Sequence, residues 1–204
     1  MEDLFLNSGS NSPIDFDFQD AEISIFLNLF SIQESDNLLE TLKTEIDWKQ
    51  EQIKFFGKTH DFPRLTAWYG DAGKTYTYAG IMFEPSPWTS ILLKIKSKIE
   101  EVSNVQFNSV LLNLYRSGND GVSWHSDDEP ELGVNPIIGS VSFGESRPFQ
   151  LKHKYLEGIK QKIILEHGSY LLMKGETQHK WLHQIPKSKK EMRERINLTF
   201  RVIQ

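Results

Sequence analysis

Three residues in the middle of the chain, His125, Ser126 and Asp127, place an imidazole and a carboxylate two positions apart. Side chains alternate in an extended segment, so His125 and Asp127 would point to the same side. This pair is two thirds of a facial triad of two histidines and one carboxylate, which holds Fe(II) and leaves coordination positions open. The pattern is short enough to arise by chance, so it predicts a metal site only together with a second histidine.

Four later histidines could complete such a triad, and their sequence neighbours differ. His183 lies in the apolar stretch KWLHQIP, which is typical of a buried strand. His179 lies at the polar entrance of that stretch, and His167 precedes Gly168, which favours a turn. His153 lies among lysines, which favours a solvated side chain. The chain has no cysteine, so any metal must be held by histidines and carboxylates.

The last strand candidate, RINLTFRVI (195–203), has one apolar and one polar face. The polar face carries Arg195, Asn197, Thr199 and Arg201. It could point to water, or it could line an internal cavity. In a cavity the two guanidinium groups need anionic partners, because an unpaired buried charge is costly. A dicarboxylate ligand would supply such partners in bidentate geometry.

A second strand candidate carries polar groups that suit the same ligand. In LNLYRSG (112–118), Asn113 and Tyr115 have the same parity and would face the same side. Both side chains can donate a hydrogen bond to a carboxylate. Their presence favours the interpretation in which the polar faces line a cavity.

The elements that must position these residues fall into two parts. Before residue 107, Ser31 to Glu34 fits a capping box and Pro87 opens a second helical pattern, which predicts two helices. Residues 50–83 alternate aromatic and polar side chains, which predicts strands and hairpins. After residue 107, eight short strand candidates predict a double-sheet jelly roll or barrel. They are FNSVLLNLY, VSWHSDD, PIIGSVSF, PFQLKH, QKIILEH, SYLLMKG, KWLHQIP and RINLTFRVI.

The length of 204 residues predicts one structural unit, residues 21–204, behind an acidic flexible tail at 1–20. Within this unit, residues 21–106 would hold the helices and hairpins, and 107–204 the jelly-roll core. No apolar run approaches the ~20 residues needed to cross a bilayer, and the first residues lack the features of a signal peptide. We therefore expect a monomer without a membrane partner, in the cytoplasm or nucleus, where the environment is reducing.

Charge is distributed unevenly along the chain. The overall net charge of -5 excludes a uniformly basic coat. Residues 1–146 carry a net charge of -13, whereas residues 147–204 carry +8. The basic part is either an ordinary lysine-rich surface or a face for a polyanion such as a nucleic acid.

Together these segments resemble the AlkB family of Fe(II)- and 2-oxoglutarate-dependent dioxygenases. The resemblance rests on N-L-Y (113–115), H-S-D (125–127), W-L-H (181–183) and R-I-N-L-T-F-R (195–201). Longer segments are similar to the members that repair nucleic acids, especially the eukaryotic DNA-repair homologues. These are PRLTAWYGDAGKTYTYAG (63–80), HSDDEPELG (125–133), PIIGSVSFG (136–144) and EHGSYLLMKG (166–175). The resemblance covers roughly residues 50–203.

The resemblance implies an α+β fold with a double-stranded β-helix (jelly-roll) core, two N-terminal helices and a nucleotide-recognition hairpin lid. The implied iron ligands are His125, Asp127 and His183. The implied 2-oxoglutarate contacts are Asn113, Tyr115, Arg195, Asn197 and Arg201. The implied activity is oxidative demethylation of N1-methyladenine and N3-methylcytosine in DNA. It uses Fe(II), 2-oxoglutarate and O2, and releases formaldehyde, succinate and CO2.

The methyl groups of these bases lie on the Watson–Crick edge, so a base in a duplex must be flipped out. By resemblance, Tyr76 and Tyr78 belong to the lid that stacks on the flipped base, and Glu129 accepts from its exocyclic amine. Phe56 would fill the gap left in the duplex, and Arg64 would meet a phosphate. From the residues alone, the two tyrosines could be an ordinary cross-strand pair, and Phe56 could belong to the core.

Three other functions remain open. The same chemistry could act on RNA, because the chain mixes motifs of duplex-preferring members (FFGK) and of members that favour single strands and RNA (WHSDDEP). The fold could also serve a protein or small-molecule hydroxylase, although the lid tyrosines and Glu129 suit a planar base. A binding module that has lost its iron is the third alternative, and the complete set of ligands argues against it.

Overall fold

The computed structural model describes residues 12–55, 58–74, 76–78 and 81–204. The helices in this part of the chain are α1 (Ile32–Glu45), α2 (Ser90–Ser103) and the short α3 (Thr177–Lys180). The first seven strands are β1 (Ile14–Phe16), β2 (Glu22–Phe26), β3 (Gln52–Phe55), β4 (Lys58–Asp61), β5 (Leu65–Gly70), β6 (Tyr76–Tyr78) and β7 (Ile81–Phe83). The others are β8 (Ser109–Tyr115), β9 (Val122–His125), β10 (Ile138–Gly144), β11 (Arg147–His153), β12 (Lys160–Leu165), β13 (Ser169–Lys174), β14 (Trp181–Ile185) and β15 (Arg195–Arg201).

Two antiparallel sheets form the core. The larger has the strand order β1-β2-β13-β10-β15-β8-β5, and the smaller has the order β12-β11-β14-β9. Apolar side chains from both sheets meet in one buried cluster, for example Ile138 and Met173 from the larger sheet and Leu151 and Ile163 from the smaller. Each of the eight strand candidates from residue 107 onward overlaps one of the strands β8 to β15, so the predicted jelly-roll core is confirmed.

The two long helices cover the opposite face of the larger sheet. Leu42 from α1 and Leu92 and Ile95 from α2 are fully buried and share a second apolar cluster with Leu198 and Phe200 of β15. Their spacing follows the helical period, which is why the two helices could be predicted from the sequence.

The helix starts agree only in part with the prediction. Ser31 caps α1 as predicted, since its Oγ accepts from the Glu34 backbone N at 3.2 Å. The Glu34 carboxylate instead meets Lys98 Nζ at 2.7 Å. The second helix begins at Ser90 with Thr89 as its N-cap, so the prediction that Pro87 opens it was wrong by three residues. The Thr89 hydroxyl sets the start there because it accepts from the Leu92 backbone N–H in the first turn at 3.4 Å, which a proline side chain cannot do.

The burial of β15 explains its alternating sequence. Ile196, Leu198 and Phe200 pack under the helices. The alternate residues Arg195 and Asn197 therefore face the space between the sheets, and both are buried. The prediction that this polar face lines an interior is confirmed.

The first described residues differ from the predicted flexible tail. Ile14–Phe16 pair antiparallel with β2, and Phe16 and Phe18 pack against the cluster between the sheets. The Trp181 indole Nε1 also donates to the Gln19 carbonyl at 2.9 Å. Residues 12–20 are thus part of the fold, because two aromatic side chains find an apolar site that composition does not reveal. Residues 1–11 of the predicted tail lie outside the described residues.

The region 50–83 contains the predicted hairpins. Strand β3 pairs with β4, and β6 pairs with β7, each as a separate two-stranded sheet. Within the described ranges, every helix is too short or too polar to cross a membrane.

Candidate active site

The predicted metal triad comes together at the smaller sheet. His125 ends β9 and pairs in register with His183 of β14, and Asp127 follows two residues after His125. One ligand atom from each of the three side chains lies within 4.8 Å of the other two. His183 Nε2 and Asp127 Oδ2 are 3.7 Å apart, and the two imidazole centroids are 4.3 Å apart. The geometry can hold one metal ion.

The protonation states in this cluster suit a cation. Burial alone would raise the pKa of Asp127, but the Arg201 guanidinium and the two histidines outweigh it and hold the pKa at about 2. Burial lowers the pKa of His183 to about 3, with a further contribution from His125. At neutral pH Asp127 is therefore a carboxylate and His183 a neutral imidazole, and these are the forms that bind metals.

Hydrogen bonds orient two of the three side chains. His125 Nδ1 lies 2.8 Å from the Ser123 carbonyl. A carbonyl only accepts, so Nδ1 carries the proton and Nε2 is left as the metal-binding atom. Arg201 donates from one guanidinium nitrogen to Asp127 Oδ1, which fixes the carboxylate and neutralises part of its charge.

The other histidines have separate structural partners. His153 is 8% exposed and packs on Trp181, so the prediction of a solvated side chain was wrong. Its Nδ1 accepts from the Leu156 backbone N at 3.0 Å. His167 lies in a turn as predicted and accepts from the Gly144 backbone N at 2.7 Å. His179 lies in α3, where its Nε2 accepts from the Asn135 backbone N.

Arg195 supplies a buried cation with unused donors. It is 1% exposed, and one terminal nitrogen donates to Ser142 Oγ at 2.9 Å. Its Nε and its second terminal nitrogen have no hydrogen-bond partner among the described residues. Burial lowers the pKa of Arg195 to about 10, so it is charged at neutral pH. A carboxylate is the group that would satisfy these donors.

The other predicted polar residues adjoin Arg195 across two neighbouring strands. Tyr115 of β8 lies opposite Arg195, and Asn113 lies opposite Asn197. The Arg195 guanidinium is 5.1 Å from the Tyr115 ring centroid. Arg201, at the far end of the same strand face, contacts Asp127. Strand β15 thus carries both Arg195, with its unused donors, and Arg201, which contacts the metal triad.

Comparison with known proteins now identifies the family. The sequence model of the 2OG-Fe(II) oxygenase superfamily matches residues 22–201. Alpha-ketoglutarate-dependent dioxygenase alkB homolog 3 of Homo sapiens is 42% identical over 194 residues, which are 90% of this chain and 66% of that protein. DNA oxidative demethylase ALKBH2 of Homo sapiens is 39% identical over 185 residues, 86% of this chain and 71% of that protein. The chain belongs to the AlkB family of 2OG-Fe(II) oxygenases.

This AlkB-family chain is shorter than its curated relatives and shares its fold with a solved structure. It spans 63% of alkB homolog 3 of Bos taurus, to which it is 45% identical over 183 residues. A solved structure titled "The structure of OsALKBH1" superposes with a TM-score of 0.64 and covers 91% of this chain and 98% of its own. At 17% identity, that likeness shows the shared fold alone.

Fe(II) and 2-oxoglutarate are the metal and the co-substrate of this superfamily, and the residues present fit both. The triad of His125, Asp127 and His183 offers two neutral nitrogens and one carboxylate, the donor set that suits non-haem Fe(II). Arg195 offers buried donors that a carboxylate would satisfy. The AlkB-family chain therefore has a place for each group.

A second buried arginine near this site was not found from the sequence. Arg147 of β11 donates to the backbone carbonyls of Asp120 at 2.9 Å and Pro186 at 2.7 Å. Its guanidinium lies 5.7 Å from the Tyr115 ring centroid. It ties the loop after β8 to the segment after β14. Nothing in its sequence neighbourhood separates it from a surface arginine.

The residues predicted to contact the substrate are only partly described. Arg64 Nε donates to Asn113 Oδ1 at 2.7 Å, so this arginine adjoins the predicted co-substrate contacts. Glu129 immediately precedes a single 3₁₀ turn at Pro130–Leu132. Tyr76 and Tyr78 are the first and last residues of β6. Phe56 lies outside the described residues.

Proposed function

We propose that this chain is an Fe(II)- and 2-oxoglutarate-dependent oxidative demethylase that repairs alkylated bases in DNA, namely N1-methyladenine and N3-methylcytosine. The observation that carries the proposal is that β15 joins the metal triad, through Arg201, to the unused buried donors of Arg195. A human relative 39% identical to the chain is named DNA oxidative demethylase ALKBH2, which supports a methylated base in DNA as the substrate.

In this proposal the iron ligands are His125, Asp127 and His183. The 2-oxoglutarate contacts are Asn113, Tyr115, Arg195, Asn197 and Arg201. When bound, iron, 2-oxoglutarate and O2 would supply hydroxylation of the N-methyl group, and 2-oxoglutarate would be converted to succinate and CO2. The hydroxylated group would then leave the base as formaldehyde. The protein itself needs no nucleophile. Its residues bind and orient the substrates and exclude water from the site.

The roles of individual side chains follow from their contacts. Arg195 pairs with a carboxylate of 2-oxoglutarate, since two of its donors have no described partner. Arg201 occupies Asp127 Oδ1, which leaves Oδ2, the oxygen nearer His183, for the metal. The Ser123 carbonyl holds the proton on His125 Nδ1 and keeps Nε2 available.

The base is recognised after it leaves the stack. Tyr76 and Tyr78 stack on one face of the flipped base, and His125 bounds the other. Glu129 accepts a hydrogen bond from the exocyclic amine. A methyl on the pairing edge abolishes normal pairing, so the damaged base costs less to flip than an intact one.

The strand around the base is held by phosphate contacts and an apolar wedge. Phe56 fills the gap in a duplex, and Arg64, whose Nε donates to Asn113 Oδ1, contacts a phosphate. Lys187, Lys189 and Lys190 lie exposed in the segment between β14 and β15. They supply part of the basic C-terminal surface that would meet phosphates.

We further propose that residues 21–204 act as a single unit, as a monomer in the cytoplasm or nucleus. The apolar cluster under the helices supports one unit, because it joins Leu42 and Ile95 from before residue 107 to Leu112 and Leu198 after it. Residues 21–106 and 107–204 therefore share a core.

The deciding experiment is mass spectrometry of a single-stranded DNA oligonucleotide that carries one N1-methyladenine. The purified chain is incubated with Fe(II), 2-oxoglutarate and air, beside one control without 2-oxoglutarate and one with the His183→Ala variant. The proposal requires loss of one methylene mass from the oligonucleotide, and this loss must depend on 2-oxoglutarate and on His183.

The other outcomes point to different functions. Succinate without demethylated DNA would mean that the oxygenase chemistry is intact but the substrate is another one, and methylated RNA would be tested next. Neither succinate nor demethylated DNA from folded, iron-loaded protein would overturn the proposal and leave a binding module.

A further inference from the structure

The backbone N–H of Asp127 has an unusual partner. Asp127 lies beyond the end of β9, so no neighbouring strand receives its N–H, yet the residue is 3% exposed. Gln178, a fully buried residue of α3, accepts from this N–H through Oε1 at 3.0 Å. Without that acceptor the buried N–H would be unsatisfied, which is costly.

The Gln178 amide is held in one orientation. A backbone N–H only donates, so the atom that faces Asp127 must be the amide oxygen. The amide nitrogen points the other way and lies 3.5 Å from Met173 Sδ. The side chain therefore sits between the larger sheet and the segment that carries the carboxylate ligand.

Lys154 binds both to Gln178 and to the segment that carries Asp127. Lys154 Nζ donates to the Gln178 backbone carbonyl at 2.8 Å and to Asp128 Oδ2 at 2.9 Å. One ammonium thus ties α3 to the residue directly after Asp127. The Lys154 side chain is 17% exposed, so the tie is mostly shielded from solvent.

We propose that Gln178 is a positioning residue for the metal site, which holds the Asp127 backbone so that its carboxylate meets His125 and His183, and that Lys154 supports it. The proposal rests on the proposed function, in which Asp127 binds Fe(II). Partners of metal ligands typically change metal affinity by 10- to 100-fold when they are removed, and Gln178 acts on the ligand through its backbone.

The test measures the affinity of the metal-free full chain for Mn(II), a cation that does not turn over, by electron paramagnetic resonance of the free ion. Gln178→Met removes the acceptor at similar volume, and we expect roughly 10- to 100-fold weaker Mn(II) binding. Gln178→Glu keeps an oxygen at the same reach, and we expect an affinity within a few-fold of wild type. Gln184→Met is the matched control, because the Gln184 amide bonds to Gln150 instead, at 2.7 Å.

Thermal unfolding of each variant shows whether it is folded. Folded Gln178→Met with wild-type Mn(II) affinity, or with a loss equal to that of Gln184→Met, overturns the proposal. If Gln178→Met does not fold, Gln178→Asn replaces it, since its shorter amide cannot reach Asp127, and unchanged affinity there is equally decisive. Wild-type protein that binds no Mn(II) would instead contradict the iron site of the proposed function.

Discussion

Two of the three candidate iron ligands are each held by a group that occupies one atom and leaves another for the metal. The Ser123 carbonyl accepts a hydrogen bond from His125 Nδ1, and Arg201 donates one to Asp127 Oδ1. No residue in the described part of the chain holds His183 in this way, but His183 is 5% exposed, and its ring packs against Phe149 at a centroid distance of 5.0 Å. The site is thus oriented before a metal arrives, which lowers the cost of binding one.

His183→Ala should abolish 2-oxoglutarate-dependent turnover, because it removes one of three ligands and leaves a site that no longer holds Fe(II) at three points. We expect a fall of at least about 100-fold, larger than for the loss of an outer partner. Formaldehyde release from a methylated oligonucleotide measures it. His179→Ala replaces the histidine of α3, just before β14, and should retain activity. The opposite result would mean that the wrong histidine was assigned.

Arg195→Ala should weaken 2-oxoglutarate binding by on the order of 2–3 kcal/mol, the value of a charge-assisted bidentate contact, or about 30- to 150-fold. The KM for 2-oxoglutarate, measured at saturating oligonucleotide, checks it. Arg193→Ala is the control, since the Arg193 side chain is 93% exposed and should leave that KM unchanged. If both variants bind 2-oxoglutarate equally well, no carboxylate lies on Arg195.

At the scale of elements, long regular patterns could be predicted from the sequence and short irregular ones could not. The strand candidates from residue 107 onward are short segments that Gly, Asn, Pro and Glu separate, and the polar face of β15 was assigned to the interior from its two arginines. The four residues of α3 are too few to show a helical period, so Gln178 was missed with it. The packing of Phe18 and His153 depends on the Trp181 ring, which lies against both and is distant from each of them in sequence.

The N-cap of α1 can be tested separately from the chemistry. Ser31→Ala removes the acceptor of the Glu34 N–H, and we expect the free energy of unfolding to fall by about 1 kcal/mol. Urea denaturation measures it. Ser31→Asp keeps an acceptor and should restore most of the loss, and neither change should alter the KM for 2-oxoglutarate. Equal stability of the Ala and Asp variants would mean that the cap contributes nothing.

The hairpin of β3 and β4 carries the prediction for duplex DNA. Phe56→Ala should lower kcat/KM on a methylated duplex more than on the matching single strand, because only a duplex leaves a gap to fill. The ratio of the two kcat/KM values checks it, with Phe55→Ala as the neighbouring control. An equal loss on both substrates would place Phe56 in the core.

For the whole molecule, the sign of the charge changes along the chain. Residues 147–204 carry a net charge of +8 although the protein carries -5, so attraction to a polyanion must come from one region. Within that region, Lys187, Lys189 and Lys190 are exposed on a single segment. That segment begins two residues after the end of β14, the strand that carries His183.

Replacing Lys187, Lys189 and Lys190 by Gln should weaken binding to single-stranded DNA and flatten its salt dependence. Each lost phosphate contact should reduce the slope of log K against log salt by about 0.7, because fewer counterions are released. Fluorescence anisotropy of a labelled oligonucleotide at several salt concentrations measures the slope. Lys94→Gln, an exposed lysine of α2 on the helical side, should leave it unchanged. If the triple variant keeps the wild-type slope, the segment is an ordinary solvated loop, and the phosphates must meet cations elsewhere.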